Sequence, residues 1–256
     1  MSSRLQPCWI ERGDARLFAA YDCADEVPHS GVLMCAPLLH EYVRSYRMFA
    51  VLGRALTKLG YGVLRFDYQG CGDSSGDDDA FSMTSAKLDA AAALAALRER
   101  VGAAPLIVLG IRAGSFVAWP LAAAADATLW LWQPVLDGAT YVADLERHDR
   151  VERNSRLRYQ LGAPADCAPD RQTLMGFPLS SNLIRELKAE QIQSMSQSSP
   201  RILVADTANK RGAISGARDI VLPTELASWA DEVEMGHFPP PAIERVAAAL
   251  SMEHGR

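Results

Sequence analysis

Short apolar runs alternate along the first half of the chain with longer segments in which apolar and polar positions mix at helical spacing. The apolar runs predict buried strands, and they are GVLMCAP (31–37), GVLRFDY (62–68), LIVLG (106–110) and TLWLWQPV (128–135). The intervening segments predict helices, at 44–59, at 84–100 and over GSFVAWPLAAAA. This alternation predicts right-handed crossovers, and therefore an α/β fold whose mostly parallel sheet is covered by helices on both faces.

The pattern changes after residue 137. Residues 138–199 are charged and helical in character, with a proline-rich break at 163–170 and no apolar strand run. RILVAD (201–206) resumes the strand pattern, 231–241 supplies a further strand end and a loop, and AIERVAAAL closes with a helix. We therefore predict a core of residues 1–137 and 200–256, with residues 138–199 inserted as a helical cap over the carboxyl edge of the sheet.

Composition adds exclusions to this picture. The chain has 256 residues, 49% of them hydrophobic and 22% charged, which suits one large α/β domain. The net charge of -5 and the absence of a Lys/Arg-rich tract argue against a nucleic-acid partner. No apolar run of about 18 residues occurs, so no membrane span is expected.

Neither a metal nor a cofactor is predicted. The five cysteines form no CxxC pair, which disfavours both a metal site and a disulfide framework. No HExxH motif occurs, and the GCGDSSG stretch lacks the GxGxxG spacing of a dinucleotide site. Because the N-terminus also lacks an apolar signal-peptide core, we expect a reduced, cytoplasmic protein.

The stretch GIRAGS (110–115) links a predicted strand to a predicted helix through a turn flanked by glycines. This is the layout of a nucleophile elbow, with Arg112 where the serine would stand. Arginine is not an acyl-accepting nucleophile, and a cation is disfavoured at a helix N-terminus. Arg112 therefore needs a compensating anion. Two alternatives are open: a structural carboxylate, with Glu41 the nearest candidate, or an anionic ligand, with Arg44 or Arg47 completing a cationic pocket.

Three stretches stand in the order found in α/β-hydrolases: FDYQGCGDSSG after a strand, the GIRAGS elbow, and GHFPPP near the C-terminus. Over nearly its whole length the chain resembles that superfamily. Within that superfamily, the chain bears a closer resemblance to the exosortase-A-associated hydrolase-like proteins. The stretches that carry this similarity are PLLHEYVRSYRM (37–48), GCGDSSGD (70–77), the arginine-centred elbow and LMGFPLSSNLIREL (174–187). The resemblance implies the α/β-hydrolase fold with a cap.

The resemblance also implies roles for several residues. His237 stands where the superfamily keeps its general base, and Asp206 is the favoured acid partner, with Asp137 as the alternative. An oxyanion hole would come from backbone N–H groups around Leu38–Leu39 and of Ala113. His40 and Glu41 follow in the same loop.

Two side chains are candidates for a relocated nucleophile. Ser115 lies one helical turn beyond Arg112, although a serine there commonly serves its own backbone. Cys71 would face the pocket and have its pKa lowered by Arg112. Ser74 and Ser75 share the Cys71 loop, where they equally suit turn formation.

Two functions of different classes follow. The first is an enzyme of acyl chemistry, an esterase, thioesterase or acyltransferase, acting on an anionic or carrier-linked small-molecule substrate. Its base would be His237, and its nucleophile either a residue other than 112 or a water activated directly by His237. The alternative is a non-hydrolytic accessory protein that binds an anionic ligand at Arg112.

Overall fold

A computed structural model of the protein describes residues 4–23, 26–155, 171–192, 201–223 and 240–254. The strands in this part of the chain are β1 (Arg4–Arg12), β2 (Ala15–Cys23), β3 (Ser30–Cys35), β4 (Tyr61–Phe66), β5 (Leu106–Ile111), β6 (Thr128–Trp132), β7 (Arg171–Leu174), β8 (Phe177–Ser180), β9 (Ile202–Asp206) and β10 (Arg218–Val221). The helices are α1 (Leu39–Lys58), α2 (Met83–Val101), α3 (Ser115–Ala124), α4 (Gly138–Arg153), α5 (Ser181–Ala189) and α6 (Pro240–His254).

Eight of the described strands form one sheet, in the order β1-β2-β4-β3-β5-β6-β9-β10. The pairs β1–β2 and β2–β4 are antiparallel, and all the other pairs are parallel. Every residue of β3 and β5 is buried, as expected for central strands covered on both faces. The predicted α/β fold with a mostly parallel sheet is confirmed.

Helix boundaries follow local chemistry. α2 begins at Met83, directly after Ser82, whose hydroxyl accepts a hydrogen bond from the Ser85 backbone N–H at 2.9 Å. α1 begins at Leu39, earlier than the predicted start at residue 44. This earlier start places Glu41 in the first helical turn, at the carboxyl edge of the sheet.

The antiparallel strands β1 and β2 and the strand β10 were not predicted. β1 lies at the edge of the sheet with mostly exposed side chains, so it lacks the apolar run of a buried strand. β10 is short and largely exposed. The strand end predicted at 231–241 falls almost entirely outside the described residues.

The GCGDSSG loop is hydrogen-bonded to β2 through two serine side chains. The Ser74 hydroxyl accepts from the Phe18 backbone N–H at 2.9 Å, and the Ser75 hydroxyl accepts from the Arg16 N–H at 2.8 Å. Both serines therefore serve the backbone, which leaves neither as a nucleophile.

The segment between β6 and β9 contains α4, the two-stranded β7–β8 hairpin and α5. The two α-helices fit the helical prediction for 138–199, whereas the hairpin does not. Its turn residues Met175 and Gly176 both have positive φ, 52° and 86°, which is the geometry of a two-residue hairpin turn. The segment contacts α2, because Glu186 accepts a hydrogen bond from the Met83 N–H at 2.8 Å. The cap boundaries themselves stay a prediction.

Candidate functional site

The elbow backbone forms as the sequence predicts. Arg112 has φ 51°, in the left-handed region that is strained for a residue with a side chain. It opens a single 3₁₀ turn, Arg112–Gly114, between β5 and α3. A Cβ at Gly114 would clash with the carbonyl oxygens of Ala36 and Cys35. Glycine at 114 therefore lets the elbow press against the end of β3.

The compensating anion of Arg112 is Glu41. Arg112 Nε donates to Glu41 Oε1 at 2.9 Å, and Nη1 donates to the Gln133 carbonyl oxygen at 3.4 Å. The two side chains are 19% and 2% exposed. Burial raises the pKa of Glu41 and Arg112 opposes that rise. For Arg112, burial acts to lower the pKa, but Glu41 outweighs it and leaves the pKa raised. Glu41 therefore serves the arginine rather than a substrate.

Arg112 also lines a cavity of about 270 Å³, called here the polar cavity. Its lining comes from the elbow, the loop after β6, the start of α4 and the end of β9, and consists of Arg112, Pro134, Val135, Leu136, Asp137, Thr140, Tyr141, Asp144, Val204, Asp206, Lys210 and Ala213. Two of these side chains are cations and three are carboxylates. Because Glu41 already neutralises Arg112, the charge balance of this cavity disfavours an anionic ligand. Neither Arg44 nor Arg47 is among the described lining residues, so the predicted cationic pocket is not formed by them.

Asp206 and Asp137 both line the polar cavity, and their carboxylates accept hydrogen bonds from different partners. Asp137 is the N-cap of α4, where its carboxylate accepts from the Thr140 N–H at 2.6 Å and from Gln191 Nε2 at 3.4 Å. The Thr140 hydrogen bonds lower the pKa of Asp137. Asp206 ends β9 and accepts from the Thr207 N–H at 2.7 Å. The same Asp206 oxygen also accepts from the Thr207 hydroxyl and from Gln133 Nε2, each at 3.4 Å. Both carboxylates are therefore hydrogen-bonded within the protein, and the choice of Asp206 over Asp137 as the acid stays a prediction.

His237 lies outside the described residues. In sequence it stands between β10, the last of the described strands, and α6. The approach of its ring to Asp206 and to the elbow stays a prediction.

The structure contradicts Ser115 as a nucleophile. Its side chain has no exposure, and its Oγ donates to the Val135 carbonyl oxygen at 2.9 Å. The hydroxyl ties the start of α3 to the loop after β6. It therefore packs inside the helix–sheet interface instead of facing a cavity.

The predicted activation of Cys71 by Arg112 is wrong. Burial raises the pKa of the Cys71 thiol to about 12, and the carboxylates of Asp67, Asp78 and Asp89 act in the same direction. Arg112 is not among the charges that act on it. Cys71 is thus a neutral thiol at physiological pH.

We expect iodoacetamide to alkylate Cys71 slowly in the folded protein at pH 8. With a pKa of about 12 the thiolate is scarce, and its higher intrinsic nucleophilicity offsets only part of that loss. The net rate should be about 100-fold below that of Cys71 in urea. Quantitative peptide mapping of folded and unfolded samples measures the ratio. Rapid labelling of Cys71 near pH 7 in the folded protein would contradict the structure.

Cys71 lines a second cavity of about 180 Å³, called here the apolar cavity. Its lining comes from the β3–α1 loop and α1, the chain after β4, and the insertion, and consists of Pro37, Leu38, Leu39, Tyr42, Val43, Tyr68, Gly70, Cys71, Gly72, Asp78, Phe81, Phe177, Pro178 and Leu183. Arg112 and Asp206 do not line it. The two cavities are therefore separate at the carboxyl edge of the sheet.

The backbone proposed for an oxyanion hole lies at two adjoining turns. Leu39 has φ 57° at the first residue of α1, and Ala113 belongs to the elbow turn. The first N–H groups of a helix have no partner within it, so such turns present free donors. Gly114 lets the elbow approach the backbone of Cys35 and Ala36, shortly before Leu38 in the chain. The assignment of Leu38, Leu39 and Ala113 stays a prediction.

His40, Glu41 and Tyr141 form a buried polar cluster beside Arg112. Among the described residues, His40 Nδ1 is buried without a hydrogen-bond partner, and the buried Tyr141 hydroxyl faces Glu41, whose pKa their hydrogen bond acts to lower. Burial, aided by Arg44, His148 and Arg112, lowers the pKa of His40 to about 4. His40 is therefore neutral at pH 7 and lines neither of the two cavities.

The depressed pKa of His40 makes stability depend on pH. Between pH 6.5 and about 4 the unfolded chain binds a proton at this histidine that the folded protein does not. The stabilisation is present above pH 6.5 and is lost as the pH falls toward 4, by about 2–3 kcal/mol. As the pH is lowered through this window, the free energy of unfolding in urea should fall more for the wild type than for His40→Asn, because asparagine does not titrate. The stabilities of the two proteins should therefore converge. Parallel pH profiles would contradict the depressed pKa.

Gln133, Tyr141 and Lys210 belong to the site but were not predicted. Gln133 is a single polar residue at the end of the apolar run WLWQPV, and that interruption was a usable signal. Tyr141 and Lys210 stand in polar surroundings where nothing in the pattern distinguishes them.

Several classes of site are not seen in the described ranges. No group of three or more His, Cys, Asp or Glu side chains there is arranged to hold a metal ion. The four described cysteines form no disulfide. No helix of this part of the chain has the length and apolar character needed to cross a membrane.

Part of the chain matches a known protein family, and its fold is similar to those of several solved structures. Residues 32–151 match a family model described as serine aminopeptidase, S33. No curated protein sequence matches the chain. Similar solved structures include Est1E from Butyrivibrio proteoclasticus with ferulic acid bound, at 14% identity and a TM-score of 0.65 over 96% of this chain and 98% of that one.

Two further structures are similar. An esterase from Pyrococcus furiosus has 14% identity and a TM-score of 0.62 over 98% of this chain and 91% of that one. Alpha/beta hydrolase domain-containing protein 10 from mouse has 12% identity and a TM-score of 0.59 over 98% of both chains.

Proposed function

Because this chain has the α/β-hydrolase fold, we propose that it is a hydrolase of acyl bonds, an esterase or thioesterase, in which water attacks the acyl carbon directly. The family-model match is to a hydrolase family, and esterases are among the similar structures. The observation that carries the proposal is the elbow itself. It has the strained backbone of a nucleophile elbow, while its side chain is a partly buried arginine paired with the buried Glu41.

The described residues argue against a covalent nucleophile. Ser115 is buried, Ser74 and Ser75 hold the N-terminal strands, and Cys71 is a neutral thiol. Arg112 cannot form an acyl-enzyme. Water is the nucleophile that needs no side chain at the elbow.

The proposed reaction uses backbone donors and one acid–base pair. His237 takes a proton from water while the water oxygen bonds to the acyl carbon, and Asp206 orients the imidazole. The N–H groups of Ala113 and Leu39 stabilise the oxyanion. The tetrahedral intermediate then expels the alcohol or thiol, which receives the proton from His237. Since an oxyanion hole and binding alone give about 10³–10⁴-fold acceleration over water, a slow and selective enzyme is expected.

The alternative of an anion-binding accessory protein is less well supported. It was motivated by an uncompensated Arg112, and the structure pairs that arginine with Glu41 at 2.9 Å. The carboxylates of Asp137, Asp144 and Asp206 around the same cavity further disfavour an anion.

The test is hydrolysis of acyl esters and acyl thioesters by the purified wild type, His237→Ala and Asp206→Asn. We expect steady product release without an initial burst, no covalent labelling by a fluorophosphonate, and a fall in kcat/KM of about 100-fold or more in both variants. A burst equal to the enzyme concentration would show an acyl-enzyme instead of direct water attack. Hydrolysis that both variants retain in full, or no hydrolysis of any acyl compound, would refute the proposal.

A further inference from the structure

The apolar cavity has a neutral, largely hydrocarbon lining. The Tyr42 hydroxyl that borders it donates to the Asp67 carboxylate, so it is already satisfied. Burial raises the pKa of Cys71, which keeps its thiol uncharged. Asp78 is the one carboxylate among the described lining residues. Such a lining favours an apolar occupant.

The order of strands places this cavity beside the elbow. Its walls include the chain after β3 and after β4, whereas the polar cavity is bounded by the elbow after β5 and by the chain after β6 and β9. The sheet order is β4-β3-β5-β6-β9, and the carboxyl ends of these parallel strands share one edge. A carbonyl group held at the elbow and Leu39 would therefore have the apolar cavity on one side and the polar cavity on the other.

We propose that the apolar cavity binds the acyl group of the substrate, an aliphatic or aromatic acyl group of about six carbons, and that the leaving group faces the polar cavity. The inference rests on the proposed function. The volume sets the size, because an apolar cavity of about 150 Å³ holds a benzene ring and this one measures about 180 Å³. The polar cavity, with five charged side chains in its lining, suits a hydrophilic alcohol or thiol.

Chain length provides the first test. Each methylene that enters an apolar cavity should raise kcat/KM about three- to fourfold, so activity should climb from acetyl to hexanoyl esters and fall for longer chains. An acyl group that stays in solvent would show no such dependence.

The variant Val43→Trp places a large side chain at the mouth of the cavity. Val43 lies on α1 with more than half of its surface exposed, so the change should not disturb the core. We expect the ratio of kcat/KM for hexanoyl esters to kcat/KM for acetyl esters to fall about tenfold or more. The matched control is Val151→Trp, an exposed valine on α4 that lines neither cavity. An unchanged chain-length profile in Val43→Trp would overturn the proposal.

A binding measurement separates this proposal from the proposed function. Fluorobenzene, a neutral ring without an acyl bond, is titrated into each protein and followed by ¹⁹F NMR. The wild type and Val151→Trp should bind it, and Val43→Trp should not. If that pattern holds but no ester or thioester is cleaved, the apolar site stands and the hydrolase proposal fails. If hydrolysis occurs but fluorobenzene binds all three proteins alike or none, the acyl site is refuted while the hydrolase proposal stands.

Discussion

The double change Arg112→Ser with Glu41→Gln is expected to create a site that a fluorophosphonate labels stoichiometrically. A serine at this position would stand on the strained elbow that Arg112 now occupies, at φ 51°. His237 and Asp206 would then activate it as in a nucleophilic triad. The glutamine removes the buried negative charge that would otherwise lose its partner. Intact mass and peptide mapping measure the labelling, which should be absent in the wild type.

The matched control is Arg112→Ala with Glu41→Gln, which makes the same cavity without a hydroxyl. It should not be labelled, and adding His237→Ala to the serine variant should abolish its labelling. A folded serine variant that the probe does not modify would refute the placement of His237 as the base at the elbow. In that case the proposed water activation by His237 would fall with it.

The single change Arg112→Met is expected to lower the free energy of unfolding by about 3–5 kcal/mol at pH 7. It leaves the carboxylate of Glu41 buried without its counter-charge, and removal of one partner of a buried pair has a cost of this size. Glu41 has only 2% side-chain exposure and cannot turn to solvent without moving α1. Urea unfolding monitored by circular dichroism measures the change.

Adding Glu41→Gln to Arg112→Met should recover most of the loss, because no buried charge is left. The penalty of the single variant should also shrink as the pH is lowered. The folded-state pKa of Glu41 is raised by burial and rises further without Arg112, so the protonated form is favoured in the folded protein at low pH. Two single losses that simply add in the double variant would show that the pair is not coupled.

Much of the fold could be predicted from the sequence because central strands are buried on both faces. The sequences of β3, β4, β5, β6 and β9 are mostly apolar, with single polar residues such as Arg65 in β4 and Asp206 at the end of β9, and the pattern predicts each of these strands. β1 and β10 lie at the two edges of the sheet, where exposed side chains replace the apolar signal. The β7–β8 hairpin consists of two short strands outside the main sheet, and its sequence carries little periodicity.

In the site, the features that depend on neighbouring residues in the sequence or on the charge of one residue could be predicted, and those that depend on the surroundings of a side chain in the fold could not. The elbow and the Glu41 partner of Arg112 could be predicted, because a local glycine pattern and an unfavourable charge point to them. The roles of Ser115 and Cys71 were wrong because they depend on side-chain direction and on distant neighbours. The carbonyl that accepts from Ser115 belongs to Val135, after the next strand. The carboxylates acting on Cys71 come from Asp67, Asp78 and the helix residue Asp89.

The pairing of β6 with β9 has a consequence for how this protein can diversify. The chain leaves the sheet after β6 and returns in the adjacent parallel strand, with the Leu129 N–H bonded to the Arg201 carbonyl oxygen at 2.9 Å. The segment between β6 and β9 can therefore be replaced without disturbing the hydrogen bonds that pair these two strands. This segment contributes Phe177, Pro178 and Leu183 to the lining of the apolar cavity. The elbow and Asp206 are not part of the segment. If the proposed site is correct, transplanting the segment from a homologous protein should change substrate selectivity while the elbow and Asp206 stay in place.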